Sequence, residues 1–164
     1  MKTLMLLRHA KSSWKDSEIA DHDRPLNKRG KKVAPQIGHL LSKEGLVPDL
    51  ILSSTAVRAR ETAKAVAKAS SYKGPTELLE SLYLGTAGKI LSEAQSHTPD
   101  SVGRLLLVGH NPGMEDLVEI LSGKREAFPT AALAIFEVGI DGWKALELGV
   151  EAKLAKVYRP KEIE

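Results

Sequence analysis

Three short apolar runs do most to limit what this chain can become. They are residues 3–8 (TLMLLR), 49–53 (DLILS) and 104–109 (RLLLVG). None alternates with polar residues, and an unbroken apolar run suits a strand covered on both faces. Each is followed by a segment with helical spacing. Repeated strand–helix steps predict an α/β fold with a mostly parallel central sheet and helices on both faces.

The first helix is expected over residues 28–44, with Asn27 as its N-cap and Gly45 beyond its end. Val33, Ile37, Leu40 and Leu41 share one face of it. Pro35 lies inside this pattern and is expected to kink the helix or delay its start. Residues 56–70 and 87–97 also read as helices, the second stopped by Pro99, and residues 76–79 as a short edge strand. Asn111 reads as an N-cap with Pro112 in the first helical position, ahead of a core-facing stripe of Met114, Leu117, Val118 and Leu121. Two late strands, about 132–138 and 143–150, flank the turn signal Asp141-Gly142 and predict a C-terminal antiparallel hairpin. Residues 1–164 are expected to form one domain, with those after about 150 a polar surface tail.

Composition narrows the chemistry. The 164 residues are 42% apolar and 27% charged, ordinary values for a packed core with a solvated surface. No run approaches the roughly 20 apolar residues that span a bilayer. The opening MKTLMLLR is too short for a signal-peptide core, so no membrane association and a cytoplasmic location are expected. With no Cys, thiol nucleophiles and thiolate metal sites are ruled out. The net charge of +3 is spread along the chain and only 4% of residues are aromatic. A nucleic-acid groove usually pairs a basic stripe with stacking rings, so no nucleic-acid partner is expected. An anionic substrate remains compatible with the charge.

Ligands of open α/β sheets bind beyond the carboxyl ends of the strands. There the three runs deliver Arg8-His9, then Ser53-Ser54 with Arg58 one turn later, and His110-Asn111. Taken singly, each has a bland reading as a capping or surface residue. Together, two arginines and two histidines at strand ends form a donor-rich site suited to a phosphate dianion. No HxH, HExxH or His-plus-carboxylate cluster has metal-ligand spacing, so neither a metal nor another cofactor is expected.

Four segments together resemble the histidine phosphatase superfamily, the phosphoglycerate mutase-like fold. They are Leu7-Arg8-His9-Ala10-Lys11-Ser12, Arg24-Pro25-Leu26-Asn27-Lys28-Arg29-Gly30, Ser54-Thr55-Ala56-Val57-Arg58-Ala59 and Val108-Gly109-His110-Asn111-Pro112-Gly113. The short length and the Arg-Pro-Leu segment look most like its SixA-type phosphohistidine phosphatase branch. The resemblance implies that His9 is a nucleophile that becomes phosphorylated and that Arg8 and Arg58 grip the phosphoryl oxygens. It implies His110 as the second pocket histidine, with Ser12 and Asn111 as supporting ligands; as a cation, His110 would stabilise charge on the equatorial oxygens. Glu80 stands where the superfamily's proton donor often lies, although Glu77 is near and a surface carboxylate is the alternative. Ala10 replaces the signature Gly, which is tolerable if φ there is negative.

The expected activity is hydrolysis of a phosphoryl group, first from phosphohistidine on a protein. A small phosphomonoester or nucleotide-derived phosphate is the alternative substrate, and a non-catalytic phosphate-binding module is the alternative of another class.

Overall fold

The computed structural model describes residues 1–163, and side chains through residue 162. Six strands form one sheet: β1 (Lys2–Arg8), β2 (Leu50–Ser54), β3 (Thr76–Leu79), β4 (Arg104–Gly109), β5 (Leu133–Val138) and β6 (Ala152–Tyr158). Their spatial order is β3-β2-β4-β1-β5-β6. The first four run parallel, β5 is antiparallel to β1, and β6 is antiparallel to β5.

The unbroken apolar runs are explained by the two cores they serve. Leu4, Leu6, Leu105 and Leu107 point to one face, where they meet α3 (Ala87–His97) and α4 (Gly113–Ser122). Met5, Leu7, Leu106 and Val108 point to the other, against α1 (Lys28–Lys43) and α2 (Val57–Ala69). Alternation along a strand sends neighbours to opposite faces, so a sheet covered twice has no polar face to show.

Helix α1 starts where the capping residue puts it: the Gly30 N–H donates to Asn27 Oδ1 at 2.8 Å. Pro35 lies within the helix and does not delay that start. Beyond the helix end, Gly45 takes a left-handed φ of 68°. Gly30 is needed for another reason. A Cβ there would lie 2.1 Å from the Lys11 carbonyl oxygen, because α1 begins directly against the loop that follows β1.

Two expectations fail near the chain's end. Residues 143–145 form a 3₁₀ turn rather than a strand, and the antiparallel partner of β5 is β6. The supposed tail therefore supplies an edge strand. Its alternating half-buried and exposed residues, with Lys153 and Lys156 outward, read as polar in sequence. A third correction concerns α4. Pro112 is the cap residue, one place later than expected, and Asn111 Oδ1 reaches forward to accept the Glu115 N–H at 3.2 Å.

Candidate active site

The β1–β4 register aligns Arg8 with Gly109, so His9 and His110 emerge side by side. The His9 N–H donates to the Gly109 carbonyl at 3.0 Å, and the two imidazole centroids are 5.0 Å apart. Both side chains are buried, at 6% and 2% exposure.

His9 Nδ1 lies 2.7 Å from the Ala10 carbonyl oxygen. A carbonyl only accepts, so Nδ1 carries the proton and Nε2 keeps its lone pair. Burial, ahead of the charges of Arg58, Arg8 and Arg24, lowers the His9 pKa to about 4. The ring is thus neutral near pH 7, with Nε2 available as a nucleophile. Thr62 steadies the turn that follows: its hydroxyl accepts the Ala10 N–H at 3.0 Å and donates to the Arg58 carbonyl at 2.7 Å. Ala10 is not among the residues with positive φ, so the replaced glycine costs no strain. On the opposite side, the Ala131 N–H reaches the carbonyls of both Arg8 and His9.

His110 differs from expectation. Burial, with His9 next in effect, lowers its pKa to about 3, so the ring is neutral and not a cation. Its Nε2 is 2.8 Å from Ser54 Oγ, which also accepts the Ala56 N–H at 3.1 Å. If the Ser54 hydroxyl donates to Nε2, Nδ1 holds the proton. That buried Nδ1 has no partner within the protein. A neutral His110 can therefore still donate a hydrogen bond to an anion.

Arg58 is buried and clamped by one residue. Its Nη1 donates to the Asp21 carbonyl at 2.7 Å and its Nη2 to Asp21 Oδ2 at 3.0 Å. Arg8 Nη1 donates to the Phe128 carbonyl at 3.3 Å. The Nε atoms of both arginines are buried without partners, like His110 Nδ1. Buried donors are rarely left unpaired, and three in one place suit an anionic ligand.

These side chains line a cavity of about 560 Å³. Ser12 and Asn111 also line it. The Ser12 hydroxyl accepts from Arg24 Nη1 at 2.7 Å. Both ends of the Asn111 amide are used by the backbone, Nδ2 by the Phe128 carbonyl and Oδ1 by Glu115, so it braces the loop over residue 128. Glu80 is not brought to the site. It is exposed at the start of a 3₁₀ turn, Glu80–Leu82, and does not line the cavity; nor does Glu77. Instead Tyr83, from the same stretch, packs edge-on against His110 and donates to Asp21 Oδ2 at 2.5 Å.

Arg24, in sequence only a member of the Arg-Pro-Leu segment, is a third arginine of the cavity wall. Its Nε donates to Asp21 Oδ1 at 3.1 Å, so Asp21 organises two arginines at once. Its position before Pro25 carried no signal of this, because the contact is made across the loop.

The model of the histidine phosphatase superfamily, branch 1, matches residues 4–128, a span holding both histidines and all three arginines. The chain belongs to the histidine phosphatase superfamily. A protein assigned as the phosphohistidine phosphatase SixA of Agrobacterium tumefaciens is 32% identical, with a TM-score of 0.80 over 97% of this chain and 98% of its own. The structure of a protein histidine phosphatase SixA with tungstate shares the fold at a TM-score of 0.84 and 21% identity, over 99% of each chain. Among curated sequences, an uncharacterised chloroplastic protein of Arabidopsis thaliana is 36% identical over 87% of this chain and 69% of its own length. An uncharacterised protein of Mycobacterium tuberculosis is 34% identical over 89% and 95%. This histidine phosphatase superfamily member has, among its described residues, no helix long and apolar enough to cross a membrane.

Proposed function

We propose that the chain is a phosphatase that removes the phosphoryl group of phosphohistidine on a protein, through a phosphorylated His9. One observation carries the choice of substrate. Among the described residues, the cavity wall holds three arginines and two histidines but no carboxylate.

The phosphoryl dianion sits between Arg8, Arg58 and the Nδ1–H of His110. His9 Nε2 attacks phosphorus in line, and the bond to the substrate's imidazole nitrogen breaks. The arginines and His110 take up the charge spread over the equatorial oxygens, where fixed donors in a dry site act most strongly. A water then attacks the phosphorylated His9, releasing inorganic phosphate and restoring the neutral ring. That water's proton balances the one taken up by the departing imidazole.

An alkoxide leaves poorly without a donated proton, whereas imidazole leaves readily as the neutral ring. A positioned general acid is worth about 10²–10⁴-fold in rate. A wall without a carboxylic acid therefore disfavours alkyl esters far more than phosphohistidine. The likeness to a SixA-type protein supports the same substrate class.

Rates on a phosphohistidine peptide and on a phosphoserine peptide of the same sequence test this. A kcat/KM ratio of about 100 or more in favour of phosphohistidine is expected. Equal rates, or faster turnover of a small alkyl monoester, would replace the proposed substrate with a phosphomonoester. No turnover of either, with phosphate still bound, would leave a binding module.

A further inference from the structure

The cavity wall contains two large apolar side chains, Trp14 and Leu84, and neither serves a phosphate. Trp14 is 77% exposed and Leu84 is 55% exposed, although each lines the cavity. They come from separate loops, one after β1 and the other after β3.

Trp14 is exposed but not loose. The guanidinium carbon of Arg24 lies 3.5 Å from its ring centroid. Arg24 is itself buried and fixed by Asp21 Oδ1, the Ser12 hydroxyl and the Ser13 carbonyl. A cation seated on one face holds the indole plane, which leaves the ring's remaining surface at the cavity mouth. Leu84 is held differently. Its φ is 53°, a left-handed conformation that a branched side chain rarely adopts. Tyr83 before it is anchored to Asp21, and Gly85 after it donates back to the Leu82 carbonyl. Strain of this kind persists where the surroundings over-determine it, and it clusters at ligand sites.

We propose that Trp14 and Leu84 form the leaving-group subsite of this cavity, which takes a planar ring attached to the phosphoryl group. The inference rests on the phosphatase reading and names what lies on the far side of phosphorus. The cationic wall satisfies the phosphoryl oxygens of any substrate alike. Only the group beyond phosphorus has a use for an indole and an isobutyl side chain. A flat ring such as imidazole or phenyl stacks on indole and gains more than its area alone supplies, whereas a short alkyl chain gains little.

The test uses ligands whose P–C bond cannot be hydrolysed, so it does not depend on turnover. Calorimetry compares phenylphosphonate with methylphosphonate on wild type, Trp14→Ala and Leu84→Gly. Wild type is expected to bind phenylphosphonate about tenfold tighter or more, and each variant to lose most of that margin. Methylphosphonate affinity reports on the phosphate site in each protein, so damage to Arg24 is read separately. Leu84→Gly relieves the left-handed strain and is expected to fold if Trp14→Ala does not. A margin unchanged in both variants, or absent from a wild type that is active, overturns the subsite. A wild type that keeps the margin but hydrolyses neither phosphohistidine nor phenyl phosphate overturns the phosphatase reading and upholds the subsite.

Discussion

Asp21 holds Arg58 by two contacts at once: its carbonyl accepts from Nη1 at 2.7 Å and its Oδ2 accepts from Nη2 at 3.0 Å. With Tyr83 and Arg24 also bonded to its carboxylate, this residue fixes the cationic wall although it does not line the cavity. Displacing a positioning group by about 1 Å can cost ~10²-fold in rate. Asp21→Ala is therefore expected to lower kcat/KM by 10- to 100-fold and to weaken inhibition by inorganic phosphate. Asp21→Asn keeps the backbone carbonyl and one side-chain oxygen, so it should recover part of the loss. Steady-state kinetics with phosphate as inhibitor check this; an unaltered inhibition constant in Asp21→Ala would contradict it.

The two histidines set the pH behaviour. Burial lowers His9 to about 4 and His110 to about 3, both below the ordinary 6.5. Between pH 6.5 and those values the unfolded chain binds protons that the folded chain does not. Their contribution to stability is thus complete above pH 6.5 and is lost as pH falls through about 4. The proposed nucleophile, His9, likewise stays neutral well into acid. Imidazole NMR titration is expected to place both midpoints below pH 5, with a thermal midpoint that declines from pH 6.5 to 4. A His9 midpoint near 6.5 would contradict the account.

Glu80 offers a clean negative prediction. It is exposed and outside the cavity wall, so Glu80→Gln should change kcat/KM by less than about twofold on phosphohistidine and on alkyl esters alike. A selective loss on alkyl esters would show that the side chain reaches the site during turnover.

The parts of this fold visible in sequence were those governed by local pattern. The apolar runs, the Asn27 cap and the stripe on α4 predicted β1, β2, β4, α1 and α4 because period and capping chemistry act over a few residues. Arg8, His9, Arg58 and His110 were found because strand ends bring them to one edge of the sheet. What escaped depends on distant contacts. β6 looks like a polar tail in sequence because an edge strand keeps polar residues on its open side. The roles of Asp21 and Arg24 need the loop between β1 and α1 to fold back across itself, as the Ser12–Leu26 pairing shows. The neutral state of His110 follows from burial, which residue identity does not disclose. Glu80 rests on resemblance to a motif alone; it is exposed at the start of a 3₁₀ turn and does not line the cavity.

A covalent bond from His9 Nε2 to phosphorus is the step on which the proposed reaction depends. Its most direct test is rapid acid-free quenching during turnover of a radiolabelled phosphohistidine substrate, followed by peptide mapping. An alkali-stable, acid-labile label is expected on His9, attached at Nε2 and absent from His9→Ala, whose turnover should fall at least ~10³-fold. Label on another residue, or full turnover by His9→Ala, would contradict it.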